Sequence, residues 1–233
     1  METALQWARG PIFWTAFAFM ILGLLRLVVI TVLDIRHIMR DAGDKSLPVG
    51  QLIRTTLSWL FPVRRFTHRI TYSLTTIIFH VSIIIVPIFL GSHVMLWERS
   101  IGLSWPTLST TVADVLTILA VVTALAIVVQ RTIFADARRL SRFQDYAIPL
   151  LIAVPFASGF VAMHPTMNPF PYEATMLVHV MSANILFILI PFSKISHCLL
   201  LPFTQFVSEA AWRFPSDCGT QVAVALGKEK QPV

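Results

Sequence analysis

The sequence predicts an all-α, polytopic membrane protein with five transmembrane helices, and three observations carry that prediction. Residues of the set AVILMFWYC make up 56% of the 233-residue chain while charged residues supply only 13%, and the mean hydropathy is +0.74. A soluble domain is nearer 25% charged and covers its globule with that polar surface. The apolar residues also fall into five long runs, and the basic residues fall between alternate pairs of those runs.

A spanning helix needs about 20 mostly apolar residues. The first candidate runs over residues 12–33 and is broken only by Arg26. The second covers 72–97, with no formal charge between Arg69 and Glu98. The third, 108–129, carries Asp114 near its start. The fourth, 146–163, is shorter and holds Pro149 and Pro155, which membrane helices tolerate because neighbours re-satisfy the freed carbonyls. The fifth covers 174–195. Residues 1–215 thus read as one membrane domain and 216–233 as a polar, loose tail. A single Arg9 ahead of a full-length apolar run is not the pattern of a cleavable signal.

The charges orient the bundle. Arg36, Arg40, Lys45, Arg54, Arg64, Arg65 and Arg69 lie between spans one and two, and Arg131, Arg138, Arg139 and Arg142 between three and four. Lys194, Arg213, Lys228 and Lys230 follow span five, which places 15 of the 18 basic residues on one side. The positive-inside rule puts that side in the cytoplasm, the N-terminus outside and the C-terminus inside. The net charge of +6 is then a topology signal and calls for no nucleic acid. The cytoplasmic segment 34–71 is long enough for an interfacial helix, and Gln51–Phe66 mixes Leu, Trp and Phe with Arg as the headgroup layer requires.

Two cysteines, Cys198 and Cys218, exclude a disulfide scaffold, a Cys-rich zinc site and a self-ligated iron–sulfur cluster, and no CxxCH marks a covalent haem. The histidines are more informative. His80 and His93 lie on span two, 13 residues or about 20 Å of rise apart. His179 and His197 lie near the ends of span five, 18 residues apart, which is five whole turns of about 3.6 residues on one face. Antiparallel packing sets His93 level with His179 near the outer face, and His80 level with His197 near the cytoplasm. Two histidine pairs at two depths suit two stacked bis-imidazole haems. The plain alternative is interhelical hydrogen bonding. Thirteen residues also turn an ideal helix by about 220°, so His80 and His93 share a face only if the helix is redirected, and Pro87 is the expected kink.

The run LVHVMSANILFILIPFSKISH resembles the last transmembrane helix of the cytochrome b (gamma) subunit of respiratory nitrate reductases, PFSKISH being its most specific piece. IIFHVSIIIVPIFLGSH resembles the first ligand-bearing helix of that family, whose relatives serve sulfite-reduction-linked and multihaem-cytochrome-linked complexes. The longer interval between the span-two histidines points to a divergent relative. The resemblance implies two b-type haems, with His80 and His197 on the cytoplasm-proximal iron and His93 and His179 on the distal one. It also implies a quinone or quinol substrate, an iron–sulfur subunit and a catalytic subunit as partners, and an electron-transfer rather than self-sufficient enzymatic role.

Other polar positions have two readings each. Arg26 and Lys194 either snorkel to headgroups or meet a haem propionate. Asp114, close in depth to His93, either caps at the interface or accepts a proton from quinol, with Glu98 and Glu173 as competitors. His164, in the Pro-rich outer loop MHPTMNPFPYE, reads as a loop residue within reach of a quinol site, and His37 and His68 as interfacial residues. Two competing classes remain: a four-span cytochrome b of the hydrogenase or formate dehydrogenase kind, and a haem-free transporter or assembly scaffold with structural histidines.

Overall fold

The computed structural model describes residues 1–60 and 70–229, and every regular element among them is helical. The helices are α1 (Glu2–Trp7), α2 (Phe13–Asp41), α3 (Val49–Leu60), α4 (Ile70–Phe89), α5 (Gly91–Ile101), α6 (Thr110–Ile133), α7 (Ala135–Leu140), α8 (Phe143–Met163), α9 (Tyr172–Leu189), α10 (His197–Ala210) and α11 (Cys218–Ala225). Five helical stretches are long and apolar enough to cross a membrane: Glu2–Asp41, Ile70–Phe89, Thr110–Ile133, Phe143–Met163 and Tyr172–Phe192. Each overlaps one expected span.

The chain divides into two compact units, Met1–Met20 with Arg64–Lys194, and Ile21–Val63 with Ile195–Val233. In the first, α4 packs on α6, α6 on α8, and α8 on α9, while α1 and the following turn lie on α9. The buried face of α6 reads Ala113, Thr117, Ala120, Ala124 and Ile127, spaced three or four residues apart. Its opposite face presents Val112, Val115, Ile118, Val122, Leu125 and Val129 outward. Small residues inside and large aliphatic ones outside is the membrane arrangement, because close backbone approach drives association where lipid is as apolar as leucine. Phe79, Ala124, Ile127, Ile152 and Ala153 form the core where α4, α6 and α8 meet.

Two helix irregularities position the site. Residues Ala8–Ile12 form a widened π turn containing Pro11, and the buried Asn184 of α9 donates its Nδ2 to the Ala8 carbonyl at 3.0 Å. That satisfies a carbonyl the irregular turn leaves in an apolar setting. The second irregularity corrects the expected 72–97 span. The helix ends at Phe89, Leu90 is extended (φ −67°, ψ 128°), and α5 starts afresh at Gly91. The kink expected at Pro87 is therefore a break three residues later.

The last helical bond of α4 is Leu90 N–H to Val86 O at 2.9 Å; the break leaves the carbonyls of Pro87, Ile88 and Phe89 without helical partners, and each finds a donor. Leu108 N–H donates to Phe89 O at 2.9 Å. The Trp105 indole donates to Ile88 O at 2.8 Å and the His93 imidazole to Pro87 O at 3.0 Å. A helix end in an apolar environment requires this accounting.

In the second unit α3 packs on α10 with Leu52 and Thr56 buried, while Ile53, Arg54 and Leu57 face outward. This covers part of the expected interfacial segment; its remainder, including Arg64, Arg65, His68 and Arg69, lies outside the described residues. Gly43 N–H donates to Phe214 O at 2.9 Å, and Arg213 pairs with Asp44 and, at 2.6 Å, with Glu209. The expected tail contains the short helix α11.

Candidate functional site

The break at Leu90 carries His93 off the axis of α4, and the result is the main feature of the first unit. The rings of His93 (α5) and His179 (α9) lie with centroids 6.1 Å apart and planes 23° from parallel.

Each imidazole is pinned by its Nδ1. His93 Nδ1 donates to Pro87 O at 3.0 Å, and His179 Nδ1 donates to Pro155 O at 2.7 Å. A carbonyl only accepts, so each Nδ1 carries the proton and each Nε2 keeps a lone pair. His80 shows the same pattern, its Nδ1 donating to Thr76 O at 2.7 Å one turn back on α4. Histidines that bind iron or zinc through Nε2 are held this way.

His179 also needs room, and Gly159 of α8 supplies it. A Cβ at Gly159 would lie 2.9 Å from both Cε1 and Nδ1 of the imidazole. Neither Gly159 nor the Pro155 carbonyl is evident from the sequence as a supporting group. The available signal is the small residue Gly159 in AVPFASG, which leaves space on one face of the helix.

Asp114, on the second turn of α6, faces His164, the residue capping the C-terminus of α8. His164 Nε2 lies 3.4 Å from Asp114 Oδ2, each side chain about 30% exposed. His164 Nδ1 donates to Phe160 O at 2.8 Å, and its ring stacks on Phe160 at 4.2 Å. His164 is thus fixed between two helices. Glu98 and Glu173 are exposed at the surface.

At the other end of the unit Lys194 Nζ lies 2.6 Å from Asp145 Oδ2, with Arg131 3.9 Å from the same carboxylate. Asp145 also accepts from Arg142 N–H at 2.9 Å, fixing the start of α8. The partner of Lys194 is therefore a carboxylate in this chain. Arg26, on α2, and His197, the first residue of α10, are exposed members of the second unit, as is His37. His80 belongs to the first unit.

No family model matches the chain, and no solved structure matches it. It is similar to a protein of Nitratidesulfovibrio vulgaris that is called simply "Protein", 31% identical over 197 residues, which cover 82% of this chain and 85% of that one.

Proposed function

The chain belongs to the family of that Nitratidesulfovibrio vulgaris protein, and we propose that it is the di-haem cytochrome b membrane anchor of a quinone-linked respiratory complex. The observation that carries the reading is the His93–His179 pair. The two rings meet with centroids 6.1 Å apart, and both Nδ1 protons are occupied by backbone carbonyls, so the Nε2 atoms are the ones that would hold an iron. The donor chemistry therefore suits a bis-imidazole b-type haem.

His80 and His197 are proposed as the second ligand set on the resemblance of their motifs, with His80 Nδ1 already committed to Thr76 O. When bound, haem supplies a one-electron carrier in an apolar sleeve. The chain's own residues do the rest: carbonyls set the imidazole tautomers, Gly159 makes room for His179, and Asp114 is the proposed proton acceptor from quinol. Arg26 is the cation proposed for a propionate; Lys194 would have to exchange Asp145 to serve there. The distribution of basic residues supports an N-out, C-in orientation, and the family resemblance suggests a prokaryotic inner membrane. Quinol would bind toward the outer face and an iron–sulfur partner toward the cytoplasmic one, with a catalytic subunit or multihaem cytochrome completing the complex.

A haem-free scaffold is the second reading, favoured by one observation: the His93 ring caps the end of α4, a purely structural service. A reduced-minus-oxidised spectrum of the purified chain decides. A b-type α band with about two haems per chain is expected; a colourless protein after native expression ends the proposal. His197→Ala is expected to remove one haem, and retention of both would overturn that ligand assignment.

A further inference from the structure

We propose that Asp114 and His164 together form the quinol-hydroxyl site and take up the substrate's protons; this rests on the quinone-linked reading above. The geometry argues for it in three steps. The Phe160 carbonyl holds the His164 proton on Nδ1, so Nε2 presents a lone pair. That lone pair faces Asp114 Oδ2 at 3.4 Å, acceptor to acceptor, and a single proton placed there satisfies both atoms at once. The pair is therefore a seat for one proton shared between two helices.

The seat is reachable and correctly surrounded. Both side chains are about 30% exposed, and Met163, Met167 and Phe170, all close in sequence to His164, present apolar side chains outward. A lipid-soluble aromatic ring finds there an apolar surface next to a polar target. His164 also follows Gly159, which touches His179, by five residues, about 7.5 Å of helical rise. The proton seat thus includes the C-cap of the helix, α8, whose Gly159 and Pro155 carbonyl hold the His179 ring.

The chemistry balances. Oxidation of one quinol releases two electrons and two protons. The electrons pass to one-electron acceptors of the ferric b-haem class. For each proton, a quinol O–H bond breaks and the proton lodges between Asp114 Oδ2 and His164 Nε2, then leaves to water on the same side. The Asp114 carboxylate with neutral His164 is the receiving form.

The test uses the full chain in nanodiscs and in native membranes, with menadiol as the probe. Tritiated menadiol is expected to bind at least about tenfold more weakly to Asp114→Asn and His164→Gln than to the parent. Reduction of the b-type band by menadiol is expected to slow by about 10²–10⁴, the range for loss of a positioned proton acceptor. Asp114→Glu is expected to recover part of both. Dithionite, which needs no proton acceptor, is expected to reduce the band fully in every variant. Parental menadiol binding and reduction in both substitutions would overturn the proposal. Loss of the dithionite-reduced band would also overturn it, by making the pair a support for haem. A parental chain without any b-type band would refute the di-haem reading instead, and menadiol affinity would then decide the pair by itself.

Discussion

Replacing Gly159 by alanine tests whether the His179 ring is held where the structure puts it. The added Cβ would stand 2.9 Å from Cε1 and Nδ1, whereas ordinary contact begins at 3.4 Å, so the ring must retreat by about 0.5 Å. The His179 Nδ1–Pro155 O bond is 2.7 Å long, and a retreat of that size along the bond takes it to the upper limit of about 3.2 Å. Overpacking costs about 1–3 kcal/mol and a weakened hydrogen bond about 0.5–1.5 kcal/mol, offset by about 1 kcal/mol from replacing glycine within a helix. The expected net loss is about 0.5–3.5 kcal/mol. Gly10→Ala is the control, because nothing lies within 4 Å of its Cβ position. Thermal unfolding followed by helical circular dichroism should separate the two, with Gly159→Ala alone melting earlier. In haem-loaded protein Gly159→Ala should also alter the b-type band. Equal melting of both variants, with an unchanged band, would refute the packing argument.

Further outcomes follow from the same structure. Ala120→Leu places a large side chain on a position only 1% exposed and should destabilise the first unit by about 1–3 kcal/mol, while Val122→Leu, at 54% exposure, should be neutral in the same melt. Asn184→Ala removes the donor to Ala8 O and should cost about 1–3 kcal/mol, with amide exchange rising in residues 8–12. The Ser46 amide and hydroxyl, and then Arg213, hold the Asp44 carboxyl below the usual carboxylate range. A depressed value contributes stability that is full above the unfolded value of about 3.9 and is lost as pH falls through the folded one. Exchange of the Gly43 amide, corrected for its intrinsic pH dependence, should therefore be flat at neutral pH and accelerate in acid, and Asp44→Asn should be fast throughout.

How much of this was legible in the residues depends on what kind of physics decides each part. The spans were legible because hydrocarbon thickness and backbone satisfaction leave only long apolar helices. Their ends were less so: the break at Leu90 is set by donors as distant in sequence as Trp105 and Leu108, which no local pattern around Pro87 reveals. The meeting of His93 and His179 followed from antiparallel depth alone. The 13-residue rotation between His80 and His93 meets a helix break at Leu90 in place of the kink expected at Pro87. Asp114 stood out as an acid near the start of an apolar run, but its pairing with His164 required knowing that α6 and α8 pack together. Gly159 was invisible because a glycine's role lies in the side chain it admits, here one on another helix.

The three donors that reach the end of α4 from His93, Trp105 and Leu108 make the connection from Leu90 to Leu108 a fixed-length part. An insertion between Gly102 and Trp105 would move the indole or the Leu108 amide off its carbonyl and loosen the stretch on which His93 rides. Reporter tags used to map sidedness are often placed in such short connections. In this chain a tag there would disturb His93, the residue whose sidedness it was meant to report.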